Sequence, residues 1–168
     1  MEKVSGQAYT AYVQQQLIRP LKLSEGESLA FTIEQSGGHA RGTLERWSLL
    51  NLVLGLFIDR DRFVDVRSSR WVQLRNIHLN GAAYGGLIGN ARGFSRYLQA
   101  LLGRDDYLSA QNRALLFTPA PGPDGSELPR SVGWFTGQLN GEAYYTHAGG
   151  AAGYYCELRI YPRIGRAS

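Results

Sequence analysis

Val132-Gly133-Trp134-Phe135-Thr136-Gly137-Gln138-Leu139-Asn140-Gly141-Glu142-Ala143-Tyr144-Tyr145-Thr146-His147-Ala148-Gly149-Gly150 is the stretch that decides the fold. Asn140-Gly141 divides two runs rich in aromatic and β-branched residues. It is the strongest short signal for a two-residue hairpin, because both turn residues must take positive φ and these two residue types tolerate it. With those residues at the turn, Leu139 faces Glu142, and counting outward sets Trp134 across from His147. A third strand follows over residues 153–161, with Tyr154, Cys156, Leu158 and Ile160 on one face. Cys156, alternating with Tyr154 and Leu158, is expected to be a buried small hydrophobe.

Outward from the hairpin the period changes to that of helices. Asn90 can cap a helix whose Phe94, Tyr97, Leu98, Leu101 and Leu102 share a face, with Gly103 placed to stop it. Ser109 caps a shorter one through Phe117. Tyr9, Tyr12, Val13 and Leu17 give residues 7–19 a helical face, which Pro20 is expected to end. Residues 47–58 read as an apolar helix, too short for the ~20 residues that cross a bilayer, and buried or interfacial. Residues 29–35 suggest a short strand, 36–42 a glycine loop, and 63–78 a mixed, partly extended connection. The fold class expected is α+β: one domain over residues 1–168, an antiparallel sheet with packed helices.

Charge and composition narrow the function. Eighteen basic and fourteen acidic residues give a net charge of +4, but the arginines are scattered or alternate with aspartates, which does not make a nucleic-acid footprint. Cys156 is the only cysteine, so an internal disulfide and a cysteine-based metal site are both excluded. No His/Asp/Glu set shows ligand spacing, and no metal or cofactor is expected. His39 and His78 stand near no motif and read as surface or packing residues. No apolar signal region opens the chain, and the compartment stays open.

Glycines at 149 and 150, on a strand end and outside any turn, suggest that something approaches the backbone closely. His147-Ala148-Gly149 resembles the third active-site motif of the β-lactamase and penicillin-binding-protein family of serine hydrolases, which reads Lys-Thr-Gly or His-Xaa-Gly. Three further segments resemble the family in order and rough spacing: residues 4–21, Tyr84-Gly85-Gly86-Leu87-Ile88-Gly89 with the following helix, and Gly133-Trp134. Together they cover nearly the whole chain.

The resemblance implies a partial β-lactamase/transpeptidase-like fold and acyl transfer on an ester, amide or β-lactam. It implies that Gly150 lends its backbone N–H to an oxyanion hole and that His147 orients the substrate or its leaving group, so that His147, Ala148, Gly149 and Gly150 form a substrate wall. The family's nucleophile lies in a Ser-Xaa-Xaa-Lys segment, followed by a Tyr-Xaa-Asn or Ser-Xaa-Asn motif. Neither occurs in these 168 residues. The chain is therefore expected to be the C-terminal portion of such a domain, inactive alone, with a small acyl substrate and an N-terminal half as partners and an exposed sheet edge inviting a homo-oligomer. The alternative expectation is a binding or scaffold domain that kept the fold and lost the chemistry.

Overall fold

The computed structural model describes residues 1–32, 40–57, 59–75, 81–151 and 153–168, at residues 50–52, 54, 60 and 61 the backbone only. His39, His78, and the parts of the expected strand and loop at residues 33–39 lie outside the described residues. In chain order the elements are α1 (Glu2–Ser5), α2 (Tyr9–Val13), β1 (Leu29–Ala30), β2 (Thr43–Glu45), α3 (Leu49–Phe57), α4 (Arg60–Phe63), β3 (Val64–Arg67) and β4 (Trp71–Leu74). Then follow α5 (Ala82–Gly85), β5 (Ile88–Gly89), α6 (Ala91–Gly103), α7 (Ala110–Leu116), β6 (Arg130–Ser131), β7 (Trp134–Leu139), β8 (Glu142–Ala151), β9 (Tyr154–Tyr161) and β10 (Arg166–Ala167). Helices and antiparallel strands mix along one chain, as the α+β expectation requires.

The chain divides into two compact units. The first holds Met1–Phe31, Leu87–Ala148 and Glu157–Ser168; the second holds Thr32–Gly86 and Gly149–Cys156.

In the first unit a sheet of order β10-β9-β8-β7-β6 is centred on the expected hairpin. Asn140 and Gly141 sit at φ 51° and 81°, and the pairing runs from Leu139 opposite Glu142 to Phe135 opposite Thr146. Both outer strands are only two residues long and each carries an arginine, features that blunt edge pairing. α6 packs on the sheet through Leu98 and Leu101, which are buried with Trp134 and Ile160. Ala100, also on α6, belongs to a second cluster with Val13, Ile18, Leu21 and Leu29. One helix thus joins both cores.

Local chemistry sets where α6 begins. Asn90 Oδ1 accepts the Gly93 N–H at 2.8 Å, filling one of the donors that a helix start leaves orphaned, while Nδ2 donates to the Gly26 carbonyl at 2.8 Å. Ser109 caps α7 in the same way, its Oγ accepting from Asn112 N at 3.3 Å. Arg113, on α7, donates back to the Leu101 and Leu108 carbonyls at 2.7 and 3.0 Å and to Asp105 at 3.0 Å.

The first helix departs from expectation. It continues past α2 as a π segment over Gln14–Ile18 and a tight 3₁₀ turn over Arg19–Leu21, ending at Lys22 with φ 53°. Proline has no N–H to donate and its ring crowds the preceding turn, so the ladder changes pitch around Pro20 instead of stopping before it.

In the second unit β2, β4 and β3 form a sheet in the order β2-β4-β3. Its β3–β4 hairpin lies where only a mixed connection is expected. Val72 and Leu74 point inward and are buried, while Trp71 and Gln73 alternate outward. Gly153, at φ 76°, packs against this unit's backbone: its carbonyl accepts the Thr43 N–H at 3.0 Å.

One expectation of burial is corrected. Cys156 is exposed, because burial along β9 is confined to its second half: Ile160 is sealed beneath Leu98 and Leu101, while Tyr154 through Glu157 are exposed. α3 is the expected apolar helix, trimmed to Leu49–Phe57; of the buried and interfacial placements left open for it, the exposure of Leu49, Val53, Leu56 and Phe57 speaks against the buried one.

Candidate functional site

β8 carries all four residues singled out in the sequence. His147 and Ala148 end the first unit's share of the strand, and Gly149 and Gly150 begin the second's. The strand is fixed just before the histidine. Tyr145 packs on Phe117 with ring centroids 4.9 Å apart, and its hydroxyl donates to the Phe117 carbonyl. Burial, with the Glu127 charge adding to it, raises the Tyr145 phenol above its ordinary value, so it stays a donor. Thr146 Oγ1 lies 3.0 Å from the Leu158 carbonyl and 3.0 Å from Glu157 Oε1, tying β8 to β9. Arg159 bonds the same carboxylate oxygen at 2.6 Å and stacks its guanidinium 4.6 Å from the Tyr144 ring centroid.

His147 is exposed, and its Nδ1 lies 2.8 Å from the Gly133 carbonyl oxygen. A carbonyl can only accept, so the proton of this bond sits on Nδ1. In the neutral ring that leaves the Nε2 lone pair facing outward. The carbonyl is presented by a two-residue turn, Val132-Gly133, between Ser131 and its partner Trp134; Gly133 has φ 78°, a conformation glycine adopts without strain.

The expected neighbour of the histidine is corrected. The ladder ends at Phe135 opposite Thr146, one step short of a Trp134–His147 pair. The imidazole lies instead near the Phe135 ring, centroids 6.4 Å apart and planes 25° apart, while the Trp134 indole turns into the core against Phe117 at 6.3 Å. An indole gains more by burial than by covering an exposed imidazole.

The two glycines differ in what surrounds them. A Cβ built on Gly149 meets no described atom within 4 Å, whereas one on Gly150 would lie 3.4 Å from the Tyr154 carbonyl oxygen, inside ordinary contact. Neither residue has positive φ. Among the described residues, then, nothing in the packing or the backbone of the chain calls for glycine at 149. Among the same residues no group of three His, Cys, Asp or Glu side chains is placed to hold a metal ion.

Sequence reading alone missed the Gly133 carbonyl, the Phe135 ring and the Thr146–Glu157–Arg159 set. The two-residue spacing between Ser131 and Trp134, with glycine at its second position, is the one local signal that could have located the first.

A family model for β-lactamases matches residues 1–167. The chain belongs to the β-lactamase family. Two solved structures share its fold: the octameric penicillin-binding protein homologue from Pyrococcus abyssi, with a TM-score of 0.67 at 20% identity over 96% of this chain and 33% of that one, and SurE, with a TM-score of 0.63 at 20% identity over 99% of this chain and 36% of that one. This β-lactamase-family chain therefore spans about a third of the length of either structure. No curated protein matches it.

Proposed function

We propose that His147, Ala148, Gly149 and Gly150 form the substrate wall of a serine-hydrolase site that transfers the acyl group of an ester, amide or β-lactam. The attacking serine and its lysine come from polypeptide outside these 168 residues, which contain no Ser-Xaa-Xaa-Lys. The carrying observation is the clearance at Gly149: glycine stands on a strand where neither φ nor any described neighbour requires it, and a planar acyl group sliding past the strand does require it.

The chemistry follows from the atoms on offer. A backbone N–H at Gly150 donates to the oxygen that becomes negative as the carbonyl carbon turns tetrahedral, and one such donor lowers the barrier by roughly 3 kcal/mol. His147, its Nδ1 proton held by Gly133, offers Nε2 as an acceptor to a substrate N–H or O–H, or as a donor to a carboxylate when protonated. Neither group is a nucleophile activated for attack. The wall polarises and orients; the reaction needs the serine.

The test is covalent labelling. The 168-residue chain alone should not react with a fluorophosphonate or show a burst with an activated ester, and mixing it with a folded family segment bearing Ser-Xaa-Xaa-Lys should restore labelling of that segment's serine. A serine adduct on this chain itself, formed at enzyme-like rates, would falsify the division of labour. The absence of the serine-lysine pair also favours a second reading, a binding domain without turnover. That reading predicts that an intact β-lactam binds the chain unchanged and that His147→Ala abolishes the binding, while no complementing segment restores turnover.

A further inference from the structure

The carbonyl that holds His147 has little freedom to move. Gly133 C=O and Trp134 N–H share one peptide plane, and its two sides are held differently. On the Trp134 side the indole is buried with Leu98, Leu101 and Ile160. On the Gly133 side the backbone takes φ 78°, and a Cβ built there meets no described atom within 4 Å. Beneath the turn, Ser131 pairs with Trp134 and Arg130 with Phe135, and the Thr136 N–H donates to the Pro129 carbonyl at 3.0 Å. The direction of the Gly133 carbonyl is thus set by one torsional demand and by a hairpin seated in the core. Side-chain packing at position 133 has no part in it.

What this carbonyl decides is which ring nitrogen of the neutral imidazole carries hydrogen. A free imidazole side chain in water favours hydrogen on Nε2, whereas a carbonyl 2.8 Å from Nδ1 accepts only from an N–H there. One net hydrogen bond shifts such a ratio by about fivefold. With Nδ1 donating to the chain, Nε2 keeps a lone pair and can only accept. A wall that can only accept favours a guest that donates. We infer that Gly133 is a positioning residue: its left-handed turn sets the tautomer of His147, and the neutral ring then selects acyl substrates whose leaving group presents an O–H or N–H over those that present acceptors alone. The selection rests on the acyl-transfer reading; the tautomer does not.

The open space at position 133 lets substitutions separate torsion from packing. Asparagine enters the left-handed region readily, while a β-branched side chain is an outlier there. Gly133→Asn therefore keeps the carbonyl where it is. Gly133→Val must turn the peptide plane and take the acceptor away from Nδ1. Both variants add bulk at the same place, so a difference between them reports the backbone torsion alone.

Long-range proton–nitrogen NMR of the isotope-labelled chain, at the alkaline end of the histidine titration, reads the tautomer directly, because a ring nitrogen bearing hydrogen and one bearing a lone pair resonate far apart. His147→Gln identifies the signal among the three histidines. In the natural chain and in Gly133→Asn, Nδ1 takes the hydrogen-bearing position and Nε2 the lone-pair position. In Gly133→Val the two move towards each other as the tautomer ratio falls by about fivefold or more. Gly133→Ala, with the same torsional demand and less bulk, serves should valine cost the fold. A natural chain whose Nε2 carries the hydrogen overturns the inference, as do matching spectra for the asparagine and valine variants. Selection is read on the chain mixed with a folded family segment bearing Ser-Xaa-Xaa-Lys, as the ratio of kcat/KM for the thiobenzoate esters of mercaptoethanol and of its methyl ether, in which the fraction of active protein cancels. The hydroxyl-bearing ester is favoured by about fivefold in the natural chain and in Gly133→Asn, and the preference disappears in Gly133→Val. Equal rates for the two esters in the natural chain overturn the selection. No turnover of either ester, with Nδ1 still bearing hydrogen, overturns the acyl-transfer reading and the selection built on it, and leaves the positioning role of Gly133 standing.

Discussion

Two glycines four residues apart separate what the fold needs from what the proposed substrate wall would need. Gly153 has φ 76°, and a Cβ there would lie 2.5 Å from Thr43 N and 2.8 Å from the Gly42 carbonyl carbon. Gly153→Ala therefore incurs the left-handed penalty of about 1–2 kcal/mol for a residue with a side chain. It must also displace backbone, with the Thr43 N–H to Gly153 carbonyl bond worth about 1 kcal/mol at risk. The sum is about 2–4 kcal/mol. Gly149→Ala meets open space at ordinary φ, so its cost lies within about 0.5 kcal/mol, and reduced freedom of the unfolded chain can make it slightly stabilising. In urea, with a slope of about 2 kcal/mol per molar, Gly153→Ala lowers the midpoint by about 1–2 M while Gly149→Ala leaves it in place. Tryptophan fluorescence and circular dichroism should be followed together, since two compact units can unfold separately. Complemented with its nucleophile segment, the Gly149→Ala chain should support fluorophosphonate labelling at least about tenfold more slowly, a barrier increase near 1.4 kcal/mol. Equal destabilisation by both changes, or full labelling with alanine at 149, would refute the argument that this glycine serves a ligand.

Two further outcomes concern the first unit. Arg113→Met removes three hydrogen bonds, one from α7 to Leu101 of α6 and two to Asp105 and Leu108 in the segment between the helices, and leaves the Leu101 carbonyl without this cation; a loss of about 2–3 kcal/mol is expected in urea denaturation, whereas Asp105→Asn, at a side chain 77% exposed, changes stability by under about 1 kcal/mol. Burial raises the phenols of Tyr97 and Tyr107 above their ordinary value. A raised folded value means the folded state holds its proton longer than the unfolded one, so their contribution is complete below about pH 10 and lost as pH rises beyond it. Tyr107→Phe, which gives up the 3.1 Å bond to the Leu17 carbonyl, should be less stable by about 1 kcal/mol at pH 8 and should flatten the fall in urea midpoint between pH 9 and 11.

Features written in local chemistry were legible in the sequence. Asn140-Gly141 gave the hairpin and its register because positive φ at two successive residues is a demand few side chains meet. Asn90 and Ser109 gave helix starts because a short acceptor side chain can reach its own N3 amide. The β3–β4 hairpin was not legible. Its turn at Ser68 uses neither glycine nor asparagine and is closed by the serine, whose Oγ accepts the Trp71 N–H at 3.0 Å while its N–H bonds the Trp71 carbonyl at 2.8 Å. Nor could periodicity tell which way α3 faces. Leu49, Val53, Leu56 and Phe57 define a stripe whether core or solvent lies opposite.

The same division explains the candidate site. The sequence put His147 at a strand end, whereas β8 runs on to Ala151, and the imidazole's partner is the carbonyl of a glycine fourteen residues earlier, which has no residue code. What fixes that carbonyl is the turn ahead of β7, and what fixes the strand under the histidine is Tyr145 seated on Phe117. The ring is thus held by groups that any residue could supply in the right fold. Under the proposed substrate wall, a side chain tethered by backbone at one nitrogen has its other nitrogen free for a guest. For that reason the decisive variants at this site are those that add a methyl group at Gly149 or remove the imidazole at His147, since both should spare the fold while altering what the strand can receive.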